Sequence, residues 1–307
     1  MDKKIVVAVY KPFADPAKKE MRTIAENEGF ELVINEYDGD KENLKEIISD
    51  ANGIIVRSDK ITEEIIDSTN NLEIIVRAGA GYDNVDTEYA KNKQIPVFNC
   101  PGQNSNAVAE LAFGMMLYIA RNKFTPKSGR ELRNKSLGIH AFGHVGRFVA
   151  KIAQGFGMKV YAHDPFVDKK DMKKVNVTPV EKVQELYSKC DYISVHLPSN
   201  EKTKNFVNYN LLKNMKKNST LVNTARKAVI CDDGIVKMLQ ERDDFSYITD
   251  LALDEDKKIK EKYPERYFST PKKMGAQTLE ANINTAKLAV KNIINYYKKN
   301  DETYRVN

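Results

Sequence analysis

The sequence has 307 residues, of which 41% are hydrophobic and 30% charged, a balance typical of a globular protein of about two domains. Its 49 basic and 43 acidic residues give a net charge of +6, and the excess lies in Lys-rich helical surfaces. The basic stripe with aromatic or motif support that nucleic-acid binding requires is missing, which excludes that class of partner. No apolar run approaches the roughly 18 residues of a transmembrane helix.

Cysteine usage and the start of the chain bear on the compartment. Cys100, Cys190 and Cys231 are widely spaced, which argues against a disulfide framework and against a structural metal site. The segment from Met1 to Pro12 is a charged start followed by one short apolar run, too short for a signal peptide. We therefore expect a cytoplasmic protein with no membrane partner and no metal.

Short apolar runs alternate with helical stretches through the first hundred residues. Strands are predicted at Ile5–Val9, Glu31–Asn35, Gly53–Val56, Leu72–Arg77 and Pro96–Asn99, and helices at Ala17–Glu28, Lys41–Ser49, Thr62–Ser68 and Tyr89–Asn92. This alternation predicts a parallel sheet that is covered by helices on both faces.

The same alternation resumes after a long helix. The helix from Ser105 to Arg121 is apolar nearly all round, which indicates burial at a domain junction or a subunit interface and favours a homodimer. Strands are then predicted at Ser136–His140, Lys159–His163, Tyr192–His196, Thr220–Asn223 and Tyr247–Leu251, with helices between them and a final helix at Thr278–Lys299.

A dinucleotide-binding turn is predicted directly after the strand that ends at His140. The run Ala141-Phe142-Gly143-His144-Val145-Gly146 matches Gly-x-Gly-x-x-Gly except at its first position. Gly143 would let the backbone approach a pyrophosphate, and Gly146 would let the helix pack closely on the strand. Alanine is acceptable at position 141 if that residue keeps φ below zero. Asp164, 18 residues after Gly146, ends the next strand and favours NAD over NADP by binding the ribose hydroxyls.

Other strand ends carry residues suited to an anionic substrate. Because ligands gather beyond the carboxyl ends of parallel strands, the residues at those ends are candidates for the site. The run Ala78-Gly79-Ala80-Gly81 would present backbone N–H groups to a carboxylate. Arg226 could bind a carboxylate or a keto oxygen with two donors.

The order of these blocks resembles the D-2-hydroxyacid dehydrogenase family over essentially the whole chain. Arg57-Ser58, the block from Arg77 to Asp86, and Asn104-Ser105 are most similar to its phosphoglycerate-oxidising members, in a short form with no regulatory extension expected after Asn307. The resemblance implies α/β architecture with two doubly wound parallel-sheet (Rossmann-like) domains and an intervening cleft. We expect a discontinuous substrate-binding domain, residues 1–98 and 285–307, and an NAD-binding domain, residues 99–284.

The resemblance also assigns roles to individual residues. Arg226 takes the position of the family's catalytic arginine, Glu255 that of its glutamate, and Lys273 that of its histidine, so the usual acid/base histidine is absent. Substrate binding is assigned to Arg57, Ser58, Ala78, Gly79, Ala80, Gly81 and Asn104. Cofactor binding is assigned to Gly143, His144, Val145, Gly146, Asp164, His196, Leu197, Pro198, Thr224, Ala225, Asp250 and Gly275, with Asp250 holding the nicotinamide amide.

Lysine at position 273 changes the acid/base chemistry. A free lysine has a pKa of about 10.4, whereas a useful base at neutral pH lies about three units lower. Burial and nearby positive charges would lower the pKa of Lys273, and a tightly paired glutamate would raise it, so we expect that Glu255 does not clamp Lys273. The implied reaction is NAD-dependent oxidation of a phosphorylated 2-hydroxy acid. A glyoxylate or hydroxypyruvate reductase and a non-catalytic dinucleotide-binding module remain as alternatives.

Overall fold

The computed structural model describes residues 3–307, and the chain divides into two compact units. The first unit runs to Asn104 and resumes at Ala276–Asn307, and the second spans Ser105–Gly275. Met1 and Asp2, which belong to the predicted first domain, lie outside the described residues.

The first unit contains a five-stranded parallel sheet in the order β2-β1-β3-β4-β5. Its strands are β1 (Lys4–Val9), β2 (Glu31–Glu36), β3 (Gly53–Val56), β4 (Ile74–Arg77) and β5 (Val97–Phe98). Its helices are α1 (Asp15–Asn27), α2 (Lys41–Ile48), α3 (Glu63–Ile66), α4 (Thr87–Asn92) and α12 (Leu279–Lys299).

Two apolar clusters cover the two faces of this sheet because successive strand residues point to opposite sides. Ile5, Val7 and Val9 of β1 pack with α1 and α12 on one face. Val6 and Ala8 pack with α2, α3 and α4 on the other. Each β1 residue from 5 to 9 is completely buried, so β1 is an interior strand that contributes to the core on both faces.

The second unit contains a seven-stranded parallel sheet in the order β12-β11-β10-β9-β6-β7-β8. Its strands are β6 (Ser136–His140), β7 (Lys159–His163), β8 (Thr178–Pro179), β9 (Tyr192–Val195), β10 (Thr220–Asn223), β11 (Ser246–Thr249) and β12 (Tyr267–Ser269). Its α-helices are α5 (Ser105–Ala120), α6 (His144–Gly155), α7 (Lys169–Lys174), α8 (Val183–Lys189), α9 (Tyr209–Leu212), α10 (Asp232–Glu241) and α11 (Asp256–Lys262). Short 3₁₀ turns occur at Asn122–Phe124 and Lys227–Val229.

The strand order reverses between β6 and β9: β7 and β8 follow β6 on one side, and β10, β11 and β12 follow β9 on the other. Such a reversal places the carboxyl ends of β6, β7 and β9 around one crevice, which is where open α/β sheets bind their ligands. The predicted α/β architecture with two parallel sheets is therefore confirmed. The short edge strands β8 and β12 were not predicted.

The unit boundaries differ from the predicted ones. Residues 99–104 and 276–284 lie in the first unit, whereas both were expected in the second domain. The carbonyl of Asn99 accepts a hydrogen bond from the Asn292 side chain of α12 (2.9 Å), and Asn282 accepts one from the backbone before α1 (3.0 Å). These long-range contacts hold both segments in the first unit.

Helix α5 is less completely buried than its composition suggests. Ala109, Ala112 and Met116 have almost no exposed surface, but Leu117 and Ile119 are only partly buried. None of the helices in residues 3–307 combines the length and apolar character needed to span a bilayer.

Candidate active site

The turn between β6 and α6 has the geometry of an anion-binding helix N-terminus. Gly143 is the N-cap of α6, and a Cβ built on it would meet no protein atom within 4 Å. A Cβ on Gly146 would lie 2.6 Å from the carbonyl oxygen of Ala141, so this position needs glycine for helix and strand to pack. His144 and Val145 begin the helix, where backbone N–H groups lack intrahelical acceptors. The turn therefore offers several N–H donors beside open space.

Ala141 departs from the expected conformation. Its φ is +79°, not the negative value on which the tolerance of alanine depended. A non-glycine residue in this region costs roughly 1–2 kcal/mol because Cβ crowds the following carbonyl. Its N–H donates to the carbonyl of His163 (3.0 Å), which holds the strained residue in place. The turn thus keeps the geometry of the glycine motif at an energetic cost.

Asp164 organises the end of β7. One carboxylate oxygen accepts from the N–H of Phe142 (2.8 Å) and the other from the N–H of Phe166 (2.9 Å). Asp164 and Val180 also line a cavity of about 150 Å³ beside the strand end. The carboxylate therefore ties the dinucleotide turn to the end of β7, and its remaining lone pairs can accept from a ligand.

Three histidines lie at neighbouring strand ends, and two of them are held neutral. His140 Nδ1 lies 3.1 Å from the Tyr187 hydroxyl, and His196 Nε2 lies 2.9 Å from the hydroxyl of Ser194. Burial lowers the pKa of both His140 and His196 to about 3. The third, His163, has Nδ1 3.0 Å from the carbonyl of Val180.

The residues after His196 form part of the same strand-end loop. Leu197 packs against the apolar cluster on one face of the sheet, and the carbonyl of Pro198 accepts from the Thr203 hydroxyl (2.6 Å). The loop after β9 is therefore anchored by packing and by one hydrogen bond.

The turn after β10 carries Thr224, Ala225 and Arg226. Thr224 is 5% exposed, and its hydroxyl finds no hydrogen-bond partner within residues 3–307. Arg226 is half-buried and donates from Nη1 to the carbonyl of Ala225 (3.0 Å). Most of the guanidinium donors are therefore not used by that contact and can bind an anion.

Lys273 is exposed, so the burial that was expected to lower its pKa is absent, and it lies in a loop whose backbone bonds the Asp250 carboxylate. Asp250 is 1% exposed and follows β11. Its carboxylate accepts from the N–H groups of Met274 (2.9 Å) and Gly275 (2.8 Å), which directly follow Lys273. The Thr270 hydroxyl donates to the same carboxylate (2.7 Å). The predicted contact of Asp250 with a nicotinamide amide stays a prediction.

Glu255 has the geometry of a surface carboxylate. Its side chain is 63% exposed, and it forms an ion pair with Lys258 at 2.6 Å at the start of α11. The neighbouring Asp254 pairs with Lys227. The catalytic role of Glu255 therefore gains no support from its contacts.

In the first unit, Arg57 and Ser58 follow β3 around a buried carboxylate. Asp59 is 1% exposed and accepts from the Arg57 N–H (2.9 Å) and the Tyr37 hydroxyl (2.7 Å). Arg57 Nη1 donates to the carbonyl of Pro12 (2.6 Å), and its guanidinium lies 4.6 Å from the centre of the Phe13 ring. Burial lowers the pKa of Arg57, and the charge of Asp59 opposes that shift.

The loop after β4 differs from the predicted nest of donors. The N–H of Ala78 donates to Val56 (2.7 Å), and that of Gly79 donates to Arg77 (2.9 Å), so neither points to a ligand. Gly79 has φ of +153°, and a Cβ there would lie 1.6 Å from Nη1 of Arg77.

The remaining predicted residues of this group lie beyond that turn. Ala80 accepts from Asn99 through its carbonyl (2.8 Å) and Gly81 follows it, while Asn104 directly precedes α5. The backbone donors of the predicted nest therefore reduce to the amides of Ala80 and Gly81.

Comparison with known proteins identifies the family. Residues 113–272 match the model of the D-isomer specific 2-hydroxyacid dehydrogenase, NAD binding domain. The chain is 38% identical over 237 residues to a hydroxypyruvate reductase of Thermotoga maritima, which covers 72% of this chain and 75% of that protein. The chain belongs to the D-isomer specific 2-hydroxyacid dehydrogenase family.

Two further members of the family are named for the same phosphorylated substrate. A crystal structure of NAD⁺-bound 3-phosphoglycerate dehydrogenase from Entamoeba histolytica superimposes with a TM-score of 0.92 and 44% identity, covering 100% of this chain and 99% of that one. D-3-phosphoglycerate dehydrogenase of Methanocaldococcus jannaschii is 36% identical over 217 residues, 66% of this chain and 41% of that protein. The chain spans about half the length of the curated phosphoglycerate dehydrogenases it matches.

The second unit fits the dinucleotide of this family. The open space at Gly143 would leave room for the approach of a pyrophosphate, which the N–H groups at the start of α6 would bind. The buried Thr224 hydroxyl needs a hydrogen-bond partner that the described residues 3–307 do not supply. The NAD prediction is therefore confirmed at the level of the family and agrees with this geometry.

Sequence reasoning missed three residues that shape the site. Asp59 supports the Arg57 turn, Arg77 fills the space beneath Gly79, and Asn223 closes the turn that carries Arg226. Both Asp59 and Asn223 are buried and polar; Asn223 ends β10 and Asp59 lies shortly after β3, and that position is the signal that could have identified them.

Proposed function

We propose that the chain oxidises 3-phospho-D-glycerate to 3-phosphooxypyruvate with NAD⁺, the first reaction of serine biosynthesis. The observation that carries the proposal is the likeness to the NAD⁺-bound Entamoeba 3-phosphoglycerate dehydrogenase over the full length of both chains. The cation at the end of β3, Arg57, supports a phosphorylated substrate.

Each proposed role follows from the chemistry of the side chain. The bound dinucleotide would accept hydride from the substrate carbon that carries the hydroxyl. Arg226 would bind the substrate carboxylate through its guanidinium and hold the carbonyl in place. Lys273 would take the hydroxyl proton during oxidation and return it during reduction. The backbone of Gly143, His144, Val145 and Gly146 would hold the pyrophosphate.

The other cofactor roles follow the same strand ends. Asp164 would bind the adenosine ribose, where a carboxylate excludes a 2′-phosphate by charge. The path of the dinucleotide toward Gly275 would be lined by Thr224, Ala225 and the loop His196–Pro198. Glu255 is not part of this proposal because its carboxylate is paired with Lys258.

A hydroxypyruvate reductase is the second candidate, since the Thermotoga relative at 38% identity carries that name. The two functions differ in whether the phosphate contributes to recognition. A charge-assisted hydrogen bond contributes roughly 1.5–3 kcal/mol, which corresponds to about 10- to 100-fold in kcat/KM.

The test compares 3-phosphooxypyruvate with hydroxypyruvate as substrates for NADH oxidation. We expect a preference for the phosphorylated acid that falls about 10- to 100-fold in Arg57→Gln, with the hydroxypyruvate rate unchanged. Arg22→Gln, which removes an exposed arginine of α1, is the matched control and should keep the preference. Equal kcat/KM for the two acids would instead support the reductase.

We also propose a homodimer in the cytoplasm. The partly buried apolar residues Leu117 and Ile119 of α5 support a subunit interface, and the three free cysteines support a reducing compartment. Sedimentation equilibrium at micromolar concentration should give twice the chain mass, and a monomer mass would contradict the proposed homodimer.

A further inference from the structure

The side chain of Asn223 closes the turn that carries Arg226. Asn223 is completely buried at the end of β10. Its Oδ1 accepts from the N–H of Ala225 (3.0 Å), and its Nδ2 donates to the carbonyl of Arg226 (3.3 Å). The turn therefore depends on one carboxamide that both accepts and donates.

The side chain of Asp250 closes the loop that carries Lys273. Its carboxylate bonds the backbone N–H groups of Met274 and Gly275, the two residues that follow Lys273, and the hydroxyl of Thr270, which lies before it. A Cβ on Gly275 would lie only 3.1 Å from Asp250 Oδ2, so the loop approaches the carboxylate very closely.

These two buried side chains are joined to each other through the backbone. The carbonyl of Asn223 accepts from the N–H of Asp250 at 2.9 Å, across the adjacent parallel strands β10 and β11. A continuous series of hydrogen bonds thus runs from Arg226 through Asn223 and Asp250 to the amides that follow Lys273. Every residue of this series lies in the second unit.

Buried polar networks of this kind hold their members in one arrangement. Inside a protein, leaving a buried donor or acceptor unsatisfied costs about 1–3 kcal/mol, so each loop is held to the geometry that satisfies the buried side chain beneath it. In the proposed reaction, one loop transfers the proton and the other binds the carboxylate, so the two loops must keep a fixed position relative to each other. A displacement of about 1 Å can lower the rate about 100-fold.

We propose that Asn223 and Asp250 form a buried brace that sets the Arg226 turn and the Lys273 loop relative to one another, and that both act as positioning residues. The proposal rests on the proposed function for its catalytic consequence. The brace gives Asp250 a positioning task in addition to the nicotinamide contact that the family resemblance implies.

Isosteric variants separate the brace from bulk stability. Asn223→Asp keeps the acceptor for Ala225 but places an oxygen against the carbonyl of Arg226. Asp250→Asn places an amide N–H₂ against the loop N–H groups. Each should lower kcat about 10- to 100-fold, while the NADH dissociation constant stays within about twofold in Asn223→Asp and rises by less than about tenfold in Asp250→Asn. Thr249→Val is the matched control, because its equally buried hydroxyl bonds the backbone of Asn223 and Leu251 and neither the Arg226 turn nor the Lys273 loop. It should change kcat by less than about twofold.

The double variant tests whether the two residues act as one unit. In a single brace, the kcat of Asn223→Asp/Asp250→Asn should fall no more than about threefold below that of the worse single variant. Losses that multiply would show independent residues and overturn the brace. An NADH dissociation constant raised more than about tenfold in Asp250→Asn, with kcat retained, would make Asp250 a cofactor ligand and also overturn it.

Amide hydrogen exchange gives a readout that needs no turnover. Asn223→Asp should accelerate exchange about tenfold in the peptide covering 270–277 as well as in the peptide covering 224–229. Unchanged exchange at 270–277 would overturn the brace. If the parent protein turns over no 2-keto acid, the proposed function fails, while this measurement still decides whether the brace exists.

Discussion

Two glycines in one turn should respond to the same substitution in opposite ways. In Gly143→Ala the new methyl group would meet no atom within 4 Å among the described residues beyond its chain neighbours, and φ of −76° at this position suits alanine. The fold should therefore be nearly unaffected, apart from a few tenths of a kcal/mol at the helix N-cap. In Gly146→Ala the methyl group would lie 2.6 Å from a backbone oxygen and 3.0 Å from Ile139. Overpacking of this kind costs about 1–3 kcal/mol.

The two variants separate binding from stability. If the space above Gly143 receives the pyrophosphate, its methyl group removes about two charge-assisted hydrogen bonds, or roughly 3–6 kcal/mol. NADH affinity, followed by protein-to-cofactor fluorescence titration, should fall at least about 100-fold in Gly143→Ala while the Tm stays within about 2 °C. Gly146→Ala should melt several degrees lower. Parental NADH affinity in Gly143→Ala would refute the assignment of this turn to the pyrophosphate.

Three further variants test local features. Ala141→Gly should raise the free energy of unfolding by about 1 kcal/mol in urea denaturation, because it removes the strain of φ +79°; a loss of stability would contradict this. His140 is neutral in the fold with a pKa of about 3, so its protonation favours the unfolded chain. Its contribution to the free energy of unfolding is fully present above about pH 6.5 and is lost as the pH falls toward 3. Urea midpoints should show about 1.4 kcal/mol lost at pH 5.5 from this residue, and a His140→Asn variant that keeps the full dependence would refute the assignment. Gly79→Ala should displace Arg77 and raise the KM of the acid substrate about tenfold with NADH affinity unchanged; an unchanged KM would count against a substrate role for this loop.

Features encoded in short sequence segments were predictable. The strand before Ala141, the glycines of the turn and Asp164 lie within thirty residues of one another, and their spacing reports a local strand–turn–helix geometry. The strand ends at Asn223 and His163 were placed correctly because buried parallel strands are apolar and short. The conformation of Ala141 could not be predicted, since its φ is imposed by the turn and not by alanine itself.

Features that depend on distant partners were not predictable. The hydrogen bonds between the Asp250 carboxylate and the Lys273 loop join residues about 25 positions apart, and no spacing rule encodes them. The conflict between a Cβ at Gly79 and Arg77 depends on a side-chain direction that only the structure shows. The first unit extends past the predicted boundary near Asn99 because a hydrogen bond from α12, almost 200 residues later, holds that segment in the first unit.

The most direct test of the account measures NADH formation from 3-phosphoglycerate between about pH 6 and 10 in the parent protein and in Lys273→Met. The parent rate should rise with pH through one ionisation, as lysine loses its proton. Lys273→Met should lose at least about 100-fold in kcat with NADH affinity retained. Turnover of Lys273→Met at the parental rate, or no turnover by the parent in either direction, would contradict it.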